Sequence, residues 1–215
     1  MKYTASLVKL NIDERIDARR KAALERGIPV ADDETLNFLL LTLAAIKPLR
    51  ILEIGTAVGL SGAAMLSICA NARLTTIELE EDRYLEAKKN FADLGFSDRV
   101  TAHLGDAGEI LAMMDGQFDF VFLDGPKAQY EKYLFDLKRL MKKGATLFAD
   151  DVLLYGWVSG AEPTPQKRHS IVDKIRSYLT TVTEDKEFIT SVLDVGDGVA
   201  LSVYLGKPTE EEKGV

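Results

Sequence analysis

A regular alternation of short apolar segments with helix-like segments dominates the first 150 residues. The runs RILEIG at 50–55 and FDFVFLD at 118–124 read as strands that are buried on both faces. Helical patterns follow such runs, for example over residues 80–94 and 128–141. Strands that alternate with helices predict a mostly parallel sheet with helices on both faces, which is an α/β fold.

The two ends of the chain complete this prediction. Segments 188–194 and 199–205 read as strands joined by the tight turn Gly196-Asp197-Gly198, a hairpin that places an antiparallel strand at or near one sheet edge. Residues 1–30 are predicted to form a helical N-terminal segment. With no repeats or linkers, residues 1–207 are expected to be one domain, and the acidic residues 208–215 a flexible tail.

Composition and charge exclude some classes of function. The net charge of −7 argues against a protein that coats nucleic acid through bulk charge. Segments 9–30, 127–143 and 167–176 are nevertheless locally positive. A single cysteine excludes an intrachain disulfide, and the sequence shows neither a signal peptide nor a membrane span. The expected location is therefore the cytoplasm.

The residues that follow the first three predicted strands suggest a nucleoside-containing cofactor, because ligands of open α/β sheets bind beyond the carboxyl ends of the strands. Glu78, after the second strand, can accept both ribose hydroxyls, and Asp106 after the third can meet an adenine ring. The loop Gly55–Gly59 is G-x-x-x-G and lacks the glycine triplet that a pyrophosphate requires. This pattern favours S-adenosylmethionine over a nicotinamide dinucleotide.

Three carboxylates are predicted at the ends of the fourth and fifth strands. Asp124 ends one of them, and Asp150 and Asp151 end the other. Each could instead cap a helix or lie in a solvated loop, but converging carboxylates suit a hard cation such as Mg²⁺ or Mn²⁺. Lys127, three residues after Asp124, is either a surface lysine or a group that acts on a substrate proton.

The motifs LEIGTAVGLSG, TIELE, LGDA, FDFVFLDGPKAQY and LFADDVL together resemble the cation-dependent O-methyltransferase family, which includes catechol and caffeoyl-CoA methyltransferases. The resemblance covers residues 30–205. It implies a Rossmann-like class I methyltransferase fold with seven strands in the order 3-2-1-4-5-7-6, and a homodimer. It also implies cofactor contacts by Val30, Glu53, Gly55, Thr56, Gly59, Ser61, Glu78, Asp106, Ala107 and Asp124.

The same resemblance implies a catalytic site. The metal ligands would be Asp124, Asp150 and Asp151, although the family usually has Asp-Asn where this chain has Asp150-Asp151. Lys127 would be the base, or would favour loss of the substrate proton electrostatically. As a base it needs a lowered pKa, which the nearby metal ion and the sulfonium could supply.

Two substrate classes and one non-catalytic alternative remain open. The motifs ERGIPVADDETLNFL, DGPKAQYEKYL and PTPQKRHSIVDKIRSYL are similar to those of bacterial tRNA 5-hydroxyuridine methyltransferases, which would make the partner a tRNA anticodon stem-loop. Lys167, Arg168 and Arg176 would then contact phosphates, and Tyr155 or Trp157 would stack on a base. The alternative substrate is a small phenol such as a catechol or a hydroxycinnamoyl ester. An adenosylmethionine-binding interaction module without catalysis would show a damaged aspartate trio, which this chain does not.

Overall fold

The computed structural model describes Tyr3 and residues 5–207. The predicted acidic tail, 208–215, lies outside the described residues. The chain divides into two compact units, Met1–Ile110 and Leu111–Val215. No helix in the described part of the chain is long and apolar enough to cross a membrane.

The first unit contains three strands and four helices among its described residues, and a fifth helix spans the boundary. Their bounds are α1 Glu14–Glu25, α2 Asp33–Ile46, β1 Arg50–Ile54, α3 Leu60–Ile68, β2 Arg73–Glu78, α4 Glu81–Asp93, β3 Val100–Leu104 and α5 Ala107–Met113. The predicted helical N-terminal segment is thus α1, preceded by one short 3₁₀ turn at Ala5–Leu7.

The remaining described elements belong to the second unit. They are β4 Phe118–Leu123, α6 Tyr130–Leu140, β5 Met141–Ala149, α7 His169–Glu184, β6 Phe188–Leu193 and β7 Val199–Tyr204. Central strand β4 has Phe120, Val121 and Phe122 fully buried. This burial on both faces agrees with its uninterrupted apolar sequence.

The described strands form one seven-stranded sheet in the order β3-β2-β1-β4-β5-β7-β6. The pairs β1–β2, β2–β3 and β4–β5 are parallel. Strand β7 is antiparallel to both β5 and β6. The predicted α/β class, the strand order and the closing hairpin are all confirmed.

Two boundaries of the second unit depend on tertiary contacts. Strand β5 begins at Met141, directly after α6, and a register irregularity between Phe118 and Phe120 of β4 accommodates its additional residues. Helix α7 continues past Thr180 and ends at Glu184. Val182 is fully buried and continues the apolar face of α7, so packing outweighs the weak helix propensity of the threonines around it.

Arg99 stabilises the C-terminal end of α3. Its guanidinium donates to the carbonyls of Leu66, Cys69 and Ala70 at 3.1, 2.9 and 3.0 Å. These carbonyls lie where a helix leaves acceptors unsatisfied, at the negative end of the helix dipole.

We therefore expect Arg99→Ala to lower the free energy of unfolding by about 2 kcal/mol, because several charge-assisted hydrogen bonds are lost together. Urea denaturation followed by circular dichroism measures the change. Arg83→Ala, which removes an exposed guanidinium from α4, is the control and should lower the free energy of unfolding much less. Equal losses in the two variants would contradict the capping role.

Candidate active site

The loop between β1 and α3, residues 55–59 and hereafter the glycine loop, has an unusual backbone. Gly55, Ala57 and Gly59 all have positive φ, at 99°, 45° and 81°. A Cβ at Gly59 would lie 3.0 Å from the Phe91 ring, so glycine is required there for space as well as for conformation. Gly59 is also the N-cap of α3 and offers no side chain to cap it. The loop therefore ends at a helix N-terminus that favours a negatively charged group.

Glu78, at the end of β2, holds the glycine loop. Its side chain is buried, and one carboxylate oxygen accepts the Ala57 backbone N–H at 2.7 Å. The other oxygen accepts the N–H groups of Leu79 and Glu80 at 3.0 and 2.9 Å. Since a carboxylate offers about four acceptor positions, about one remains for a ribose hydroxyl. The predicted contact with both hydroxyls therefore requires one of the backbone donors to move.

A buried chain of hydrogen bonds supports the glycine loop from within the first unit. Glu53 is fully buried and accepts the Thr76 hydroxyl at 2.7 Å. The Thr76 oxygen lies 2.5 Å from the Thr56 hydroxyl, which is therefore the donor of that pair. In this arrangement Glu53 positions Thr56 through Thr76. A direct contact of Glu53 or Thr56 with a cofactor stays a prediction.

Other residues of the first unit surround the glycine loop. Val30 packs against a small apolar cluster that contains Val58, and Ser61 is half-buried in the first turn of α3. Asn90 of α4 donates to the Val58 carbonyl at 2.9 Å. The sequence analysis missed Asn90 and Thr76, because a single polar residue in a helix or strand carries no pattern of its own.

Asp106 and Ala107 follow β3 as predicted. The Asp106 carboxylate accepts the Glu109 N–H at 3.1 Å, so it caps α5, and Ala107 is buried. Asp106 is itself exposed, which leaves its second oxygen accessible. Its contact with an adenosine stays a prediction.

In the second unit, Lys127 lies between two of the three predicted metal ligands. Its ammonium nitrogen is 2.6 Å from Asp124 Oδ1 and 2.8 Å from Asp151 Oδ2. Lys127 begins a short 3₁₀ turn after Pro126, and its side chain is only 13% exposed. Asp151 has a φ of 56°, a left-handed conformation that aspartate and asparagine tolerate better than most residues.

Asp150 is the most buried of the three carboxylates, at 2% exposed. It accepts the Asp151 backbone N–H at 2.7 Å. The Tyr130 hydroxyl lies 2.9 Å from the Leu123 carbonyl and 3.2 Å from that of Asp150, so it links the ends of β4 and β5. Tyr130 is a further residue that the sequence analysis did not identify.

The charges of this cluster shift the pKa values of its members. Burial raises the pKa of Asp150 well above its usual value, and the charges of Asp124 and Asp151 raise it further. Burial also raises the pKa of Asp124, which Lys127 opposes. Burial and the mutual repulsion of the carboxylates therefore both disfavour their charged forms, and a nearby cation would offset these effects.

The three aspartates are not arranged as a metal centre in this structure. Among the described residues, no group of three acidic, histidine or cysteine side chains is arranged to hold a metal ion. Burial lowers the pKa of Lys127, but Tyr130, Asp124 and Asp151 raise it by more, so it lies well above its usual value. The role of Lys127 as a base, with its pKa lowered by a metal ion and a sulfonium, stays a prediction.

The predicted substrate residues lie in two segments that follow β5. Tyr155 is 64% exposed, and its ring centroid is 5.1 Å from that of half-buried Trp157. Lys167 and Arg168 are exposed in the 3₁₀ turn Gln166–Arg168, directly before α7. Arg176 donates to the carbonyls of Val158 and Trp157 at 3.0 and 3.3 Å, which ties α7 to the segment that carries Tyr155 and Trp157. Contacts of these basic residues with phosphates stay predictions.

Comparison with known proteins decides the family. A model of the O-methyltransferase family matches residues 9–205. The chain belongs to the O-methyltransferase family. It is 30% identical over 164 residues to the catechol O-methyltransferase of Niastella koreensis, which covers 72% of this chain and 74% of that protein.

Other relatives extend the likeness. The caffeoyl-CoA O-methyltransferase of Populus kitakamiensis is 27% identical over 183 residues, covering 81% of this chain and 77% of the relative. The crystal structure of the O-methyltransferase TomG from Streptomyces achromogenes, in complex with SAM, matches with a TM-score of 0.80 at 27% identity and covers 95% of each chain. These matches cover between 72% and 95% of this O-methyltransferase and agree with the resemblance drawn from its motifs.

Proposed function

We propose that this O-methyltransferase transfers a methyl group from S-adenosylmethionine to a substrate hydroxyl. The observation that carries the cofactor assignment is the glycine loop fixed to Glu78 at 2.7 Å. The N-terminus of α3 suits the carboxylate of the methionine moiety, and the remaining acceptor position of Glu78 suits a ribose hydroxyl. The relative TomG is described in complex with SAM, which supports the same choice.

We further propose that a divalent cation binds Asp124, Asp150 and Asp151. Carboxylate oxygens are the ligands that Mg²⁺ and Mn²⁺ prefer. Burial, and then the charges of Asp124 and Asp151, raise the pKa of Asp150, and a cation bound beside it would offset both effects. The three carboxylates have the chemistry that such an ion requires, although their present arrangement does not form a coordination site. A cation bound there would lower the pKa of a substrate hydroxyl.

Lys127 then acts through its charge. Its ammonium nitrogen lies 2.6 Å from Asp124 and 2.8 Å from Asp151, which favours the charged side chain over a neutral base. It stabilises the developing oxyanion instead, and the proton leaves to solvent. S-adenosylmethionine bound at the glycine loop would supply the methyl group, and its transfer to the substrate oxygen would leave a methyl ether and S-adenosylhomocysteine. The protein mainly supplies alignment.

A small phenol with two adjacent hydroxyls is the substrate class that the comparisons favour. The relatives are named catechol O-methyltransferase and caffeoyl-CoA O-methyltransferase, and both names refer to a ring of this kind. The exposed ring of Tyr155, beside Trp157, offers a flat apolar surface on which a phenol can lie.

A tRNA anticodon loop is the second candidate, with a 5-hydroxyuridine as acceptor. The exposed basic residues Lys167 and Arg168 favour it, since phosphate contacts need accessible cations. The exposed Tyr155 ring could equally stack on a splayed base.

One assay separates these candidates and tests the cation. The chain is incubated with S-adenosylmethionine and Mg²⁺, and with caffeate, catechol or hypomethylated tRNA. We expect methylation of the phenols, loss of that activity in EDTA, and recovery when Mg²⁺ is restored. Transfer to tRNA alone would overturn the phenol assignment, and full activity in EDTA would overturn the metal assignment.

A further inference from the structure

We propose that the Lys127 ammonium is a built-in counter-ion of the aspartate cluster, and that a divalent cation binds only by displacing it. The inference rests on the metal site proposed above and adds how that site is filled. Its basis is the position of the Lys127 nitrogen, 2.6 Å from Asp124 and 2.8 Å from Asp151, on a side chain that is 13% exposed.

The ammonium and a metal ion compete for the same oxygens. Asp124 Oδ1 and Asp151 Oδ2 are both within hydrogen-bonding distance of the Lys127 nitrogen, so a cation that coordinates them must take its place. Two positive centres at this spacing would also repel each other strongly in a partly buried site. Three carboxylates beside one ammonium carry a formal charge of −2, which a divalent ion would neutralise. This balance requires the ammonium to stay near the cluster after it has left the oxygens that bind the ion.

A second ion pair holds Lys127. Asp151 Oδ2 lies 2.8 Å from the Lys127 nitrogen, and its carboxylate supplies a negative charge that a neutral side chain would lack. The left-handed backbone at Asp151, with φ of 56°, turns the chain sharply where its carboxylate reaches Lys127. Lys127 is therefore held between two carboxylates. The free energy required to break these two contacts reduces the net free energy gained when a metal ion binds.

Metal affinity without catalysis tests this competition. Mn²⁺ alone is titrated into the full chain and followed by electron paramagnetic resonance. We compare the unaltered chain, Lys127→Met and the control Lys132→Met, which removes an exposed lysine of α6. We expect Lys127→Met to bind Mn²⁺ about tenfold more tightly than the other two, because it removes the ammonium that competes for the ligand oxygens, and changes beside metal ligands alter affinity by about 10- to 100-fold.

A measurement on the unaltered chain does not depend on the folding of a variant. The ¹⁵N-labelled ammonium of Lys127 should give a slowly exchanging NMR signal in metal-free protein, since it is buried between two carboxylates. Addition of Mg²⁺ should remove or shift that signal. A signal that persists unchanged while Mg²⁺ binds would overturn the displacement.

The remaining outcomes are distinct. Equal or weaker Mn²⁺ binding by Lys127→Met overturns the counter-ion role and leaves the metal assignment in place. An absence of Mn²⁺ binding in all three proteins overturns the metal assignment and the displacement together. Methyl transfer to a phenol, measured separately, would still support the proposed reaction.

Discussion

Replacement of Asp124 by alanine should reduce kcat/KM for methyl transfer by about a thousandfold, a loss typical of removing one electrostatic contact to a reacting oxygen. Asp124 is proposed to hold the cation, and it also fixes the Lys127 ammonium at 2.6 Å. The variant therefore loses one ligand of the proposed cation and one of the two carboxylates that hold Lys127. Initial rates with S-adenosylmethionine and a phenol measure the change.

The expected loss is specific to chemistry. Binding of S-adenosylmethionine to Asp124→Ala should remain measurable by calorimetry, because the glycine loop and Glu78 are unaltered. Asp173→Ala, which removes an exposed carboxylate of α7, is the control and should keep nearly full activity. If Asp124→Ala retained most of its activity, neither the cation nor Lys127 could act there as proposed.

Replacement of Glu78 by alanine should weaken the binding of S-adenosylmethionine by about a hundredfold, which corresponds to about 3 kcal/mol. The change removes a charged acceptor for the ribose, and hydrogen bonds to charged groups contribute roughly 1.5–3 kcal/mol each. It also releases the Ala57 N–H, which the carboxylate holds at 2.7 Å, so the glycine loop loses its fixed conformation. Calorimetry gives the dissociation constant directly.

Glu80→Ala is the matched control for that prediction, since it removes an exposed carboxylate only two residues away. Its affinity for the cofactor should be close to that of the unaltered chain. Circular dichroism should show that both variants retain the fold. Equal affinities for the cofactor in Glu78→Ala and Glu80→Ala would refute the role of Glu78.

Most of the fold was predictable because burial and chain direction leave a pattern in the sequence. Strand β4 is apolar at nearly every position because both of its faces are covered, and the Gly196–Gly198 turn marks the closing hairpin. The strand order came from the family resemblance, since periodicity does not report which strands are neighbours. Boundaries such as the start of β5 depend on local register, which the sequence does not display.

The candidate site was predictable only in part. Residues at the ends of strands, such as Glu78 and Asp124, stand out because the fold brings ligands to that edge. The supporting groups Thr76, Asn90 and Tyr130 were not found, because their roles depend on contacts between distant segments. The raised pKa of Lys127 was not foreseen either, since it depends on distances to Asp124 and Asp151 that only the folded chain fixes.

Methyl transfer to oxygen is tested most directly with S-adenosylmethionine that carries a deuterated methyl group. The full chain is incubated with this cofactor, Mg²⁺ and catechol, and the products are identified by mass spectrometry and NMR. The expected result is a deuterated methyl ether formed in step with S-adenosylhomocysteine. A folded, cofactor-bound chain that leaves catechol, caffeate and tRNA unlabelled, or that places the label on nitrogen or carbon, would contradict it.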